Sequence, residues 1–171
     1  MGLADDLGYR VRRPNAFQRA VQRFASTRPG AWTFSKLLRH LDDAVGRLSK
    51  GRTSAPEVLA GLPVLDVTTT GRRSGLRRTS HLIAVPIDGT LALLGTNFGQ
   101  PATPAWVLNL EADPHATVTF KHHTVEAVAR PAGDDEQARV LAGSAQVYGG
   151  YLKYQQRITG RHLRIFVLDP A

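Results

Sequence analysis

Eleven residues, Gly71 to His81 (GRRSGLRRTSH), gather four arginines, two glycines and four hydroxyl or imidazole side chains into one short run. Guanidinium groups carry fixed charge and forked donors that suit phosphate or carboxylate. Glycines at 71 and 75 would let the backbone take positive φ and bring its N–H groups close to an anion. Upstream, Pro63 to Thr70 (PVLDVTTT) has the β-branched enrichment of a strand, and Leu82 to Ile87 (LIAVPI) has it downstream. The arginines are therefore expected at a hairpin tip that binds something anionic. A solvated basic turn is the plainer reading of the same residues.

A second group of residues could hold a flat ring. Gly95-Thr96-Asn97-Phe98-Gly99 ends a strand, Pro104-Ala105-Trp106 and Asn109 begin a helix, and Tyr148, Tyr151 and Tyr154 recur at intervals of three. Phe98 and Trp106 could flank the ring, Thr96 and helix-start amides could bond its polar edge, and the tyrosines could roof a second ring. Ordinary packing is the alternative for Trp106 and for the tyrosines. The chain has no cysteine, no GxSxG, no HExxH and no Walker loop, so thiolate, hydrolase and NTPase chemistry have nothing to stand on. His122-His123 point apart in a strand or tight turn, so no metal is expected.

These residues need elements to position them. Pro14 is expected to open a helix through Phe17, Val21 and Phe24, closed by Pro29-Gly30, with a second helix from Ala31 to about Leu48 and a linker over 49–56. Residues 1–56 thus read as a basic helical arm and 57–171 as the body. After the arginine tip, Asp88-Gly89 predicts a hairpin into Thr90 to Thr96. Thr103 as N-cap and Pro104 at the first turn start a helix that stops at Asp113-Pro114. Strands follow over His115 to Lys121 and Thr124 to Pro131. A helix from Asp134, Asp135 and Glu136 to about Val147 comes next, then a short helix within Tyr148 to Ile158, and a closing strand over His162 to Leu168. About six hairpin-linked strands with inserted helices predict an α+β fold, a small antiparallel barrel with peripheral helices, rather than a parallel nucleotide-binding sheet.

The 171 residues carry a net charge of +8, which favours an anionic partner. The charge is uneven: Tyr9 to Arg52 holds eleven Lys and Arg against Asp42 and Asp43. Nucleic acid is not expected, because residues 63 to 96 contain no aromatic stacking platform. The basic amphipathic arm could lie on an anionic membrane, although packing on the chain's own core is commoner. No stretch reads as a secretion signal or a membrane span, so a cytoplasmic location is expected, with the inner face of the cell membrane as the alternative. Nothing in the pattern specifies an oligomeric state.

Three ordered segments, TTTGRRSGLRRTSHL, GTNFGQPATPAWVLNLEADPHATV and YGGYLKYQQRITGRHLRIFVLDP, resemble the actinobacterial deazaflavin-dependent nitroreductase and quinone reductase family over about Leu59 to Pro170. The resemblance implies a split β-barrel, and as cofactor coenzyme F420, an 8-hydroxy-5-deazaflavin with a phosphate and a polyglutamate tail. It implies that Arg72, Arg73, Ser74 and Arg78 hold the phosphate and carboxylates, with Thr79, Ser80 and His81 continuing along the ligand. By the same resemblance Thr96, Asn97, Phe98, Trp106 and Asn109 line the deazaflavin, while Tyr148, Tyr151 and Tyr154 face a small-molecule acceptor, a quinone or nitroaromatic. Tyr151 or Thr96 would give a proton or hydrogen bond to the reduced acceptor. Asn97 stands where some members have a lysine, and Val107 where an aromatic is usual. The alternative expectation is a non-catalytic split-barrel module that binds a deazaflavin or flavin without turnover.

Overall fold

The computed structural model describes residues 2–12, 14–27, 29–30 and 61–171. The expected second helix and the linker before the body lie outside the described residues. Seven strands form one curled antiparallel sheet: β1 (Leu65–Thr70), β2 (Arg77–Leu82), β3 (Ala84–Ile87), β4 (Thr90–Leu94), β5 (His115–Phe120), β6 (His123–Pro131) and β7 (Ile165–Pro170). Their order across the sheet is β2-β1-β5-β6-β7-β4-β3.

The sequence predicts about six strands, and the seventh is β2. It pairs with β1 from Thr70↔Arg77 to Leu65↔Leu82, which shortens the arginine tip to Gly71–Leu76. An edge strand with both faces largely in solvent shows no apolar alternation, so RRTSH reads as a turn. Arginines on such an edge also discourage pairing with other chains.

Alternating residues divide the core in two. Leu65 and Val67 of β1, Val118 of β5 and Phe166 and Leu168 of β7 point into the curl. Val85, Leu94 and Val167 point outward, beneath two helices, α4 (Asp134–Val147) and α5 (Gly150–Arg157). This is why β4 (TLALL) and the start of β7 (IFVL) are continuously apolar while β1 (LDVTTT) alternates. Outside β1 and β5 the sheet carries a polar threonine face, with Thr68 bonded to Thr79 at 2.8 Å and Thr119 to Thr124 at 3.0 Å.

The first residues close one mouth of the curl. Helix α1 (Leu3–Asp6) buries Leu3 and Ala4, Leu7 follows them into the interior, and the Tyr9 ring packs edge-on to Phe120 at 5.1 Å. The Tyr9 hydroxyl donates toward the carbonyls of Ala84 at 2.9 Å and Pro63 at 3.0 Å and accepts from Ala84 N at 3.1 Å. Burial pushes its pKa up. Helix α2 (Ala16–Ala25) starts from Asn15 rather than Pro14, because Asn15 and Gln18 form a reciprocal capping box, and it ends at Ser26, ahead of Pro29.

Helix α3 (Ala105–Ala112) begins one residue later than expected, with Pro104 in place of Thr103 as its cap. Helix α4 follows the sequence reading. Its Glu136 accepts from Gly133 N at 2.9 Å and from both terminal nitrogens of Arg130 at 2.7 Å, which holds the carboxyl down at about 2.

Candidate active site

The six-residue tip is a self-bonded turn. Gly71 N donates to Leu76 O at 2.8 Å, Gly75 N to Gly71 O at 2.7 Å and Leu76 N to Ser74 Oγ at 3.3 Å. Gly75 takes φ +66, as expected, but Gly71 does not enter the left-handed region. Both glycine amides are spent inside the turn, so the expectation that they approach an anion is corrected: side chains must do that work. Arg72, Arg73 and Arg78 are exposed and have no side-chain partner among the described residues, and Leu76 projects beside them. Arg77 differs, because its guanidinium is bonded to Thr117 Oγ1, which in turn donates to Glu126.

Asn109 fastens this tip to α3. Its side chain is buried, its Oδ1 accepts from Arg72 N at 3.1 Å, and its Nδ2 donates to the hydroxyl of Thr69 at 3.0 Å. The residue therefore acts as a strut between a helix and the base of the hairpin.

Strand alternation parts the run that follows. Arg78 and Ser80 stand opposite Thr69 and Val67 and share their face, whereas Thr79 and His81 share the outer face with Thr68 and Asp66. Thr79 is bonded to Thr68, and His81 Nδ1 lies 2.6 Å from Asp66 Oδ1. Four consecutive candidates thus divide between two sides of the sheet.

The ring-binding candidates divide as well. Trp106 is 7% exposed and packs edge-on to Phe166 at 6.2 Å, inside the curl. Phe98 lies against the outer cluster, edge-on to Tyr154 at 5.8 Å. The two side chains occupy opposite faces of the sheet and do not flank one ring, and Trp106 is a core anchor. Thr96 precedes both in sequence and is buried, with no hydrogen-bond partner for its hydroxyl among the described residues.

The loop after β4 holds an uncommon backbone. Asn97, Phe98 and Gly99 take φ of 46, 56 and 77, a short left-handed turn. That conformation costs roughly 1–2 kcal/mol per non-glycine residue, so other contacts must fix it. A Cβ at Gly99 would lie 2.9 Å from Arg157 Cβ and 3.1 Å from Tyr154 O, so only glycine allows α5 this close. Asn97 Nδ2 closes the loop on Ala102 O at 2.9 Å.

All three tyrosines are buried. Tyr148 and Tyr154 share a hydroxyl bond of 2.9 Å, Tyr154 also donates to Ala25 O at 2.8 Å, and Tyr151 donates to Ile83 O at 2.7 Å. Burial is the first cause that raises the pKa of each, and for Tyr148 the neighbouring Tyr154 adds to it. In this arrangement they are neutral phenols that join α5 to Ile83, the residue between β2 and β3, and to the end of α2.

Three cations on or after α5 were not singled out in the sequence. Lys153 donates to Ser26 Oγ at 3.0 Å and Arg157 to Ser26 O at 2.7 Å, which caps the C-terminus of α2. Arg161 reaches the carbonyls of Gly95 at 2.9 Å and Thr96 at 3.0 Å, and that of Gln100 at 3.2 and 3.3 Å. Their regular four-residue spacing, 153, 157 and 161, was the available signal.

The model of the family described as F420H(2)-dependent quinone reductase matches residues 39–170. The chain belongs to this family. Among solved structures, an F420-H2 dependent reductase (FDR-A) is similar with TM-score 0.57 and 28% identity, over 63% of this chain and 94% of that one. A protein described as a domain-swapped dimer gives TM-score 0.59 and 23% identity over 82% and 99% of the two chains. A heme binding protein from Mycobacterium smegmatis gives 0.51 and 19% over 64% and 46%. The last two share the fold alone. The curled sheet is the split β-barrel of F420 reductases, the chain is an F420H2-dependent reductase, and its cofactor is coenzyme F420.

The reductase's own residues fit that cofactor at its acidic end. Arg72, Arg73 and Ser74 on the anchored tip, with Arg78 following in β2, supply three unneutralised guanidinium groups and a hydroxyl, the donor set a phosphate and a run of carboxylates require. Replacing Asn109 by alanine removes both strut bonds and leaves the fully buried Thr69 hydroxyl short of a partner. A stability loss of about 1–3 kcal/mol is expected in urea unfolding, accompanied by weaker F420 binding although Asn109 need not touch the tail. Unchanged stability and affinity would rule the strut out.

Proposed function

We propose that this reductase passes hydride from reduced F420 to a quinone. The observation that carries the reading is the anchored hairpin, with the free guanidinium groups of Arg72 and Arg73 on its tip and that of Arg78 at the start of β2, in a family-typical fold. Arg72, Arg73, Ser74 and Arg78 hold the phosphate and carboxylates, Ser80 extends the same face, and Thr79 and His81 support it from behind through Thr68 and Asp66. Thr96, Asn97 and Phe98 meet the ring system, with Trp106 supporting it from the core. The bound cofactor supplies the hydride, so the chain needs no strong base of its own.

What the chain supplies is placement and exclusion of water. Tyr148, Tyr151 and Tyr154 form an apolar, neutral wall on the acceptor side. Because Tyr151 is fully engaged with Ile83 O and its pKa is raised, the free hydroxyl of Thr96 is the better hydrogen-bond donor to the acceptor's oxygen. A nitroaromatic could meet the same wall. Among the described residues no helix is long and apolar enough to cross a membrane. Phe17 of α2, 63% exposed, together with the exposed Arg19 and Arg23, suits contact with a bilayer that holds a lipid-soluble quinone.

The test is a turnover assay in which reduced F420 is mixed with protein and a menaquinone analogue and the visible absorbance of the oxidised cofactor is followed. Absorbance should return only when protein and acceptor are both present, and deuterium placed at the cofactor's reactive carbon should slow it. Tight cofactor binding with no oxidation by any quinone or nitroaromatic acceptor would support the non-catalytic alternative instead.

A further inference from the structure

A guanidinium that meets three backbone carbonyls of one loop is an unusual use of a cation. Arg161 follows Gly160, which takes φ +74, in the crossover from α5 to β7, and it turns back toward the end of β4. Its Nη1 donates to Gly95 O, its Nη2 to Thr96 O and Gln100 O, and its Nε to Gln100 O, at 2.9 to 3.3 Å. These carbonyls bracket the left-handed residues Asn97, Phe98 and Gly99, so the same group grips both ends of the strained segment. Thr96 O additionally accepts from Gly99 N at 2.8 Å, and Gly95 N is paired with Arg164 O at 2.9 Å, so the loop is fixed at its base and along its turn.

We propose that Arg161 is a positioning residue: it clasps the 95–100 loop in the one conformation that presents Thr96 Oγ, Asn97 and Phe98 to the ring of the cofactor. The inference rests on the placement of those three residues at the ring in the reading above. Only a planar fork supplies donors in the directions of all three carbonyls. A lysine ammonium is a point charge on a flexible stem and can meet only part of the set. The clasp is distant in sequence from the arginine tip and has no bond to it, so it governs ring placement and leaves tail affinity to Arg72, Arg73 and Arg78.

The experiment compares wild type, Arg161→Lys and Arg161→Ala in two measurements on the full chain: F420 affinity by fluorescence titration, and steady-state oxidation of reduced F420 by a menaquinone analogue. Arg161→Ala should lower kcat by about a hundredfold, the scale of a small misplacement at the reacting centre, while the cofactor Kd changes by less than about threefold. Arg161→Lys should fall between the two. Free guanidinium chloride should raise kcat of Arg161→Ala and leave wild type unaffected. If kcat is unchanged in both variants, if kcat and affinity fall together in proportion, or if guanidinium restores nothing, the assignment is overturned. Should Arg161→Ala not fold, the same split in Arg161→Lys decides the matter. Failure of the underlying functional reading looks different, because wild type itself would then show no binding or no turnover.

Discussion

Replacing Arg72 and Arg78 together by alanine is expected to weaken F420 binding by about two orders of magnitude without unfolding the protein. Charge-assisted hydrogen bonds contribute roughly 1.5–3 kcal/mol each, and the solvent around this tip puts these at the low end, for a total near 3 kcal/mol. Neither side chain has a hydrogen-bond or ion-pair partner among the described residues, so their removal breaks no polar contact of the fold. The turn's shape survives because Gly71, Ser74, Gly75 and Asn109 define it. Binding to the parent should weaken as ionic strength rises, and more steeply than binding to the double variant. Titration of the fluorescent cofactor at two salt concentrations measures both effects. An affinity within about threefold of the parent would remove the tip from the binding site.

The second large effect concerns stability. Trp106→Ala is expected to lose about 3–5 kcal/mol in denaturant unfolding, the usual range for an aromatic deleted from a packed interior, whereas Trp106→Phe should lose much less. The indole is 7% exposed, meets Phe166 edge-on and lies in the cluster that includes Val107 and Leu110. A wall of an open ring-binding cleft would behave in the opposite way: small loss of stability, large loss of cofactor affinity. That opposite result would restore the side-by-side arrangement of Phe98 and Trp106 that the sequence suggested.

Trp106 shows where sequence reading reaches its limit. A strand end, a glycine loop and a helix start can be read from Gly95 to Asn109, but which face of the sheet each aromatic takes depends on the curl, a long-range property. Other parts were plainly legible. Three acidic residues at 134–136 marked the start of α4, and alternation in β5 and β6 marked that hairpin. The tip itself was visible through its glycines and arginines, whereas β2 was hidden by exposure on both faces. Tyr9 was illegible for a different reason: a lone tyrosine in a basic, polar stretch becomes a core residue only because α1 folds back over the sheet. The tyrosine triplet was recognised by spacing, yet its hydroxyl partners Ala25 and Ile83 come from segments far away in the chain.

The place of β7 has a bearing on how the molecule is made. It lies between β6 and β4, and so joins a four-stranded ribbon to a two-stranded one, although it is translated after every strand it connects. Until it leaves the ribosome the nascent chain holds two separate ribbons whose apolar edges have no neighbour, and interior closure must wait for it. Closure of the sheet is thereby postponed until β7 has been synthesised, which makes holdase chaperones that shield the two ribbons favourable to yield.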